Sequence, residues 1–195
     1  AWAHHQLGLL TAINDKRAAL EHLQAAWGMD DAYAEAELIA TLTDNTDSRA
    51  LAFQVGTTLA DRGYYALAER AFAEAAIFAA SPAESLASVG LMRALQGLDY
   101  ASWLAHAQAL APQSPEVYTL TGLSHRAAGY FVDSLNALLV ALNLAPLDPE
   151  INAQIAEAYS LIGDERSAAF WYGQAVLLSD TPRYRPAYDA ARTAI

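Results

Sequence analysis

The chain has 195 residues, and 54% of them are hydrophobic, which supplies ample material for a packed core and argues against disorder. Twenty-two acidic residues oppose eleven basic ones, and the net charge of −11 disfavours nucleic acid as a partner. There is no cysteine, which excludes disulfides, cysteine-based zinc sites and a cysteine nucleophile. The redox compartment stays open: cytoplasm is the default and periplasm is the alternative. No apolar run approaches the roughly 18 residues of a membrane span, so direct membrane insertion is not expected.

Helix-forming residues dominate the chain between short breaks, and alternating runs typical of strands are absent. The breaks lie at 28–31, 43–47, 61–64, 81–82, 96–99, 111–115, 127–130, 145–149, 162–164 and 179–183. Between them lie segments of about 12–16 residues, the usual length of a helix in a globular protein. The sequence therefore predicts an all-α fold.

Glycines and prolines recur at a fixed period, which is typical of a solenoid rather than a compact globule. Four glycines are separated by 34, 32 and 34 residues: Gly63, Gly97, Gly129 and Gly163. Two pairs of prolines lie 34 residues apart: Pro112 with Pro146, and Pro115 with Pro149. The glycines are predicted to end the first helix of each two-helix unit in a left-handed conformation. The prolines are predicted to lie between units, where one helix stops and the next begins.

The units also share an order of small and large residues. Residues 116–146 show it in the order Tyr118, Gly122, Gly129, Phe131, Ser134, Leu138, Ala141 and Pro146. Residues 52–82 and 149–182 repeat the pattern, and the unit at about 83–114 keeps it with a shorter second helix. This order resembles the tetratricopeptide repeat (TPR), a helix-turn-helix of about 34 residues. The resemblance implies an α–α superhelix, a solenoid of stacked antiparallel helix pairs.

The resemblance divides the chain as a single array. Residues 1–16 are interpreted as a lone helix or half-repeat, and 183–195 as a capping helix. The expected repeats are about 17–48, 49–82, 83–114, 115–148 and 149–182. The unit at 17–48 is the weakest, since Asp31 stands where the others have a hinge glycine. Trp2, Leu7 and Leu10 would then lack an upstream partner helix, and we expect them to be exposed or covered by another copy of the chain.

The stretch 63–76 carries small residues and a ring where an ordinary core helix would carry leucine, isoleucine and valine. Ala68, Phe72 and Ala75 fall on one helical face. The alanines and Gly56 are predicted to let two helix backbones approach, with Phe72 filling the space between adjacent units. A generic alanine-rich bundle is the alternative, but it gives no reason for the whole order to repeat.

No arrangement of catalytic or metal-ligating groups is evident. The adjacent His4 and His5 cannot face one way on a helix, and His125 is interpreted as a packed histidine between helices. There is no HExxH, phosphate loop or GxSxG elbow. We therefore expect no enzyme activity, no catalytic, cofactor-binding or metal site, and no cofactor.

Charge is unevenly distributed along the chain. Six acids and no lysine or arginine fall between residues 30 and 47: Asp30, Asp31, Glu35, Glu37, Asp44 and Asp47. The C-terminal tail instead carries Arg183, Arg185 and Arg192. A solvated helix face and an ordinary surface tail explain both features. A basic partner at the acidic end, or a head-to-tail contact between copies, remains the functional alternative.

The family resemblance implies a protein-interaction scaffold that binds a peptide or partner protein on the concave face, formed mainly by the first helices. The implied peptide-binding residues are His22, Phe53, Gln54, Thr57, Leu91, Thr119, Leu123, Arg126, Gln154 and Glu157. This surface is neutral and partly apolar, so an apolar helical or extended segment is expected to bind, with mild salt dependence. A free acidic C-terminus is not expected to be the ligand.

Two other functions stay open. The chain is alternatively a structural scaffold that self-associates, forming a homo-oligomer through its ends. It is also consistent with the regulatory part of a larger enzyme or of an export or assembly machine. The identity of the partner and the pathway do not follow from the sequence.

Overall fold

The computed structural model describes residues 1–44, 48–79, 81–179 and 182–194. Over these residues it contains twelve α-helices, two short 3-10 turns at Asp31–Tyr33 and Pro182–Tyr184, and no strand, which confirms the all-α prediction. The helices are α1 (Trp2–Thr11), α2 (Lys16–Met29), α3 (Ala36–Asp44), α4 (Ser48–Asp61), α5 (Tyr65–Phe78), α6 (Ala83–Leu95), α7 (Ala101–Leu110), α8 (Pro115–Ala127), α9 (Phe131–Leu144), α10 (Pro149–Leu161), α11 (Glu165–Leu178) and α12 (Arg185–Thr193). Within the described ranges, none of these helices has both the length and the apolar character needed to span a membrane.

Most helices pack as consecutive pairs joined by short turns: α1 with α2, α4 with α5, α6 with α7, α8 with α9, and α10 with α11. The pairs stack in chain order, because α5 packs on α6, α6 on α8, and α9 on α10. The closing helix α12 covers α11. The core is therefore a series of seams between neighbouring helices, as expected for a solenoid.

Four of the five helix pairs bring a glycine of the first helix against a large side chain of the second. At Gly122, a Cβ atom would lie 2.6 Å from Cγ of Leu138, far inside van der Waals contact. The same close approach recurs in three other pairs: Gly8 with Leu23, Gly56 with Phe72, and Gly90 with Leu104. All four residues of the predicted close-packed face, Gly56, Ala68, Phe72 and Ala75, are buried. Phe72 lies against Gly56 and shares a core cluster with Val89 and Met92 of α6, the first helix of the next pair.

The turns between paired helices use the predicted glycines. Gly63, Gly97, Gly129 and Gly163 have φ angles of 79°, 70°, 82° and 82°, the left-handed conformation that glycine adopts at little cost. At Gly129 the chain reverses so that Tyr130 N donates to His125 O at 2.8 Å, which closes the end of α8.

The prediction of a lone opening helix is wrong. The helix α1 packs against α2 as the first member of a pair, with Gly8 against Leu23, and the turn between them contains no glycine. Asp15 caps α2 there, accepting a hydrogen bond from Ala18 N at 3.0 Å. The predicted repeat at 17–48 is consequently not a pair either, because α3 is an additional short helix that packs mainly on α4.

A buried carboxylate joins this opening pair to the rest of the solenoid. Glu35, only 5% exposed, precedes α3 and accepts hydrogen bonds from His5 Nε2 at 2.9 Å and from the Tyr64 hydroxyl at 3.0 Å. Arg62 Nε lies 3.9 Å from the other carboxylate oxygen. Three separate parts of the chain therefore meet at one side chain.

Candidate functional site

The first helices α4, α6, α8 and α10, with Phe72 of α5, line a cavity of about 400 Å³, which we call the groove. Its apolar wall comes from Phe53 and Phe72, whose rings meet edge to face with centroids 5.2 Å apart, and from residues of the later helices. Those later apolar residues are Leu91, Met92, Pro115, Leu120 and Ile151. The polar lining residues are Thr57, Glu84, Ser88, Glu116, Thr119, Asp148 and Glu150. A cavity of this size, mostly apolar with a few polar groups, has the general character of a binding site.

Four of the residues implied by the family resemblance lie together in this groove: Phe53, Thr57, Leu91 and Thr119. Phe53 and Leu91 are half-buried and pack against the core, whereas Thr57 is exposed. The Thr57 and Thr119 hydroxyls donate to backbone carbonyls of their own helices, at 3.1 Å and 2.8 Å. Each threonine can therefore turn its methyl group to a ligand.

Three other implied residues form a separate polar cluster between α8 and α10. The Arg126 guanidinium donates to Gln154 Oε1 at 2.7 Å and to a Glu157 carboxylate oxygen at 2.5 Å. Because this arginine is already ion-paired, its charge is largely compensated within the chain. The arrangement does not present a free cation to a ligand carboxylate.

The remaining implied residues do not line the groove. Gln54 is exposed on α4, and Leu123 is half-buried on α8. His22 lies on α2, where its Nδ1 is 3.0 Å from Nδ1 of His4. The helix α2 is the second member of its pair, so His22 is placed away from the first helices that enclose the groove.

The ten implied peptide-binding residues did not include the acidic residues of the groove. Glu84, Glu116 and Glu150 occupy the first turns of α6, α8 and α10, where a negative charge is favoured by the helix dipole. Their spacings of 32 and 34 residues match the repeat period. Glu116 and Glu150 directly follow the proline that starts their helix, and Glu84 lies two residues after Pro82, which precedes α6. This regular spacing could have predicted that Glu84, Glu116 and Glu150 form a row of acids along the groove, which we call the acidic row. Asp148 lies beside Glu150 in the groove lining.

The three carboxylates differ in what neutralises them. Glu150 is 3.1 Å from Arg183 Nη1 and accepts a hydrogen bond from the Tyr184 hydroxyl at 2.9 Å. Within the described ranges, Glu116 accepts a side-chain hydrogen bond from the Ser114 hydroxyl alone, at 2.7 Å. Glu84 is exposed, yet partial desolvation at the groove, and then the charge of Glu116, raise its pKa above the ordinary value. Among the described residues, neither Glu84 nor Glu116 forms an ion pair.

A buried serine also lines the groove. Ser88 on α6 is only 4% exposed, one turn from Glu84, and within the described parts of the chain it forms no hydrogen bond. Its hydroxyl is not one of the fully buried side-chain atoms that lack a partner, so the exposed part of the residue faces the groove. The Ser88 hydroxyl is therefore available to a group that enters the groove.

The histidines and the acidic stretch have structural partners instead. The Tyr100 hydroxyl lies 3.1 Å from Nδ1 of His125, so this histidine packs between helices as predicted. In the stretch 30–47, Glu35 is buried with His5 and Tyr64, while Glu37 pairs with Arg62 at 3.3 Å. Asp47 lies outside the described residues. In the ranges that the structure covers, no three potential ligands are grouped so that they could hold a metal ion.

Solved structures show where this fold has been seen before. The chain is similar to TTC0263, a thermophilic TPR protein of Thermus thermophilus, with a TM-score of 0.64, 19% identity and 98% of both chains covered. It is also similar to MamA from Desulfovibrio magneticus RS-1, with a TM-score of 0.53, 18% identity, and 87% of this chain and 99% of that chain covered. A further MamA structure gives a TM-score of 0.51 at 17% identity, over 84% of this chain and 88% of that one.

Neither a protein-family model nor a curated protein matches the sequence significantly. The structural likeness covers nearly the whole chain, and it agrees with the left-handed glycines and with the glycine-to-large-residue seams described above. The chain therefore has the fold of a TPR helical solenoid, as its repeated residue order predicted.

Proposed function

We propose that the chain is a protein-interaction scaffold that binds a segment of a partner protein in the groove. The observation that carries this proposal is the cavity shared by four first helices, in which apolar side chains predominate. Burying a partner's apolar side chains there contributes roughly 25 cal/mol per Å² of apolar surface removed from water. An elongated groove across stacked helices suits a helix or an extended peptide.

The same geometry disfavours a carboxylate as the anchor of the ligand. Among the described residues, the groove lining includes four acids and no lysine, arginine or histidine. Arg126, the nearest candidate among the implied residues, is already held by Gln154 and Glu157. An acidic C-terminus entering the groove would therefore meet like charges and lack the charge-assisted hydrogen bonds that such anchors need.

A pair of matched variants tests whether the groove is the binding surface. Thr57→Trp fills the groove from an exposed position, and Thr43→Trp makes the same change on α3, where Thr43 is also exposed and also donates to its own helix. The probes are peptides enriched from a random display library by the unmodified chain, with affinity measured by calorimetry. We expect Thr57→Trp to weaken binding at least about tenfold and Thr43→Trp to leave it unchanged. Equal affinities for both variants would contradict the proposal.

Self-association is a second candidate, favoured by the apolar surface of α1. Trp2 is 65% exposed and Leu10 is 48% exposed, so the predicted exposure of these residues is observed. Light scattering of the chain and of Trp2→Ser measures this directly. A dimer that the substitution dissociates would support self-association, and a monomer at all concentrations would exclude it.

A further inference from the structure

We infer that the segment bound in the groove is cationic and amphipathic, with an arginine or lysine beside an aromatic or aliphatic side chain, and that Glu84 and Glu116 receive its positive charge. This inference rests on the proposed function and specifies the partner's chemistry. It replaces the sequence-based expectation of mild salt dependence, which did not take Glu84 into account.

The charge of the groove is complementary to a cationic segment. Within the described ranges, the groove lining contains Glu84, Glu116, Asp148 and Glu150 and no basic residue, so every charge on it is negative. Glu84 and Glu116 are close enough for their charges to interact. A cation placed between them would relieve that repulsion and gain attraction from both carboxylates.

The partners of Glu150 within the chain show which side chains pair with an acid of this row. Glu150, the third acid of the row, is engaged by Arg183 and by the hydroxyl of the adjacent Tyr184. The Arg183 guanidinium also lies 5.4 Å from the centroid of the Tyr184 ring. One arginine–aromatic unit therefore neutralises one member of the row. The other two members have no such unit among the described residues.

Ser88 points to a ligand independently of the acids. The helix dipole explains acids at helix starts, but it does not explain a serine that is only 4% exposed, turns its accessible hydroxyl to the groove and has no hydrogen-bond partner in the described chain. It lies one turn along α6 from Glu84, toward the apolar wall formed by Leu91 and Met92. A backbone or side-chain amine of a bound segment would satisfy it.

The experiment selects binding peptides from a random display library with the unmodified chain. Their affinities are then measured at about 50 and 300 mM salt, below and above physiological ionic strength, so that charge screening differs between the two. The test variant is Glu84→Gln with Glu116→Gln. The control is Glu21→Gln with Glu37→Gln, which removes the same charge from exposed carboxylates outside the groove. Circular dichroism verifies that both double variants are folded.

We expect the enriched peptides to carry an excess of lysine and arginine next to apolar residues. The Glu84→Gln, Glu116→Gln variant should bind them at least roughly tenfold more weakly at low salt, and the control variant should not. High salt should weaken binding to the unmodified chain and reduce the difference between it and the test variant.

Two contrary results are distinguishable. Peptides that Thr57→Trp blocks, but that lack basic residues or ignore the loss of Glu84 and Glu116, would overturn this inference and leave the proposed function standing. Peptides insensitive to Thr57→Trp, or no enriched peptides at all, would overturn the proposed function and this inference with it.

Discussion

At the scale of single residues, four glycines face large side chains so closely that a Cβ atom would not fit. At Gly122 there is no room for a methyl group, because Leu138 and the Ser134 carbonyl oxygen lie within 3.1 Å of the position that Cβ would take. We expect Gly122→Ala to lower the free energy of unfolding by about 1–3 kcal/mol through overpacking. Urea or thermal denaturation measures this directly.

Gly28 provides the matched control for that substitution. It lies in α2 without a positive φ angle, and no neighbouring atom lies within 4 Å of the position that its Cβ would take. Gly28→Ala should be neutral or stabilising by up to about 1 kcal/mol, because alanine is the better helix former. If both substitutions changed the free energy of unfolding equally, the close packing at Gly122 would not be the cause of the loss.

Glu84 predicts a pH-dependent effect on stability. Its pKa is raised from the ordinary value of 4.5, chiefly by partial desolvation at the groove and then by Glu116. The folded state therefore holds this proton more tightly than the unfolded state. Ionised Glu84 costs stability above the raised pKa, and the cost disappears below 4.5.

We therefore expect Glu84→Gln to raise Tm at pH 7 and to have no effect below the ordinary carboxyl pKa. Glu21→Gln, at an exposed carboxylate paired with Arg17 at 3.1 Å, should not raise Tm at any pH. Thermal melts from about pH 3 to 8 are the measurement, since this range spans the ordinary carboxyl pKa. A lower Tm for Glu84→Gln at pH 7 would mean that the attraction of the α6 dipole outweighs desolvation and repulsion.

At the scale of helices, Glu35 links the opening pair to α4 and α5. Removing its buried carboxylate leaves His5 and Tyr64 without their acceptor. We expect Glu35→Ala to cost about 2–3 kcal/mol, and Tyr64→Phe, which removes one hydrogen bond, to cost about 1 kcal/mol. Glu37→Ala is the control and should cost less than about 1 kcal/mol, since its ion pair with Arg62 is exposed. A loss of stability on Glu35→Ala no larger than the control's would contradict this role.

The helix pattern could be predicted where glycines and prolines mark the turns. The hinge glycines correctly predicted where α5, α7, α9 and α11 begin. The sequence also predicted that the second helix of the third pair is short: α7 has 10 residues, whereas α9 has 14. The opening pair was assigned incorrectly because its turn uses Asn14 and Asp15 in place of glycine.

A usable signal for that pair was nevertheless present. Ala19, Leu23 and Ala26 repeat the spacing of Ala68, Phe72 and Ala75, and both sets are buried. The insertion of α3 shifted the repeat frame upstream of α4, so the fixed period no longer connected Gly8 to Gly56. A fixed period identifies repeats only where no extra element interrupts them.

At the scale of the whole molecule, the groove depends on four helices meeting, which no single repeat specifies. The family resemblance placed Phe53, Thr57, Leu91 and Thr119 on a common face, but it did not indicate which first-turn acids share their cavity. Nor did it indicate that Arg126 is occupied by residues of the next pair. These features follow from how the pairs stack, which side-chain packing determines in three dimensions.

The central claim is that a partner segment lies in the groove, along α4, α6, α8 and α10. The most direct measurement is an NMR titration of the isotope-labelled chain with a library-enriched peptide, following each backbone amide. We predict that the largest shift changes fall on the groove-lining residues of these first helices, with Thr57, Ser88 and Thr119 among them. Changes concentrated on the second helices α5, α7, α9 and α11 would contradict the claim.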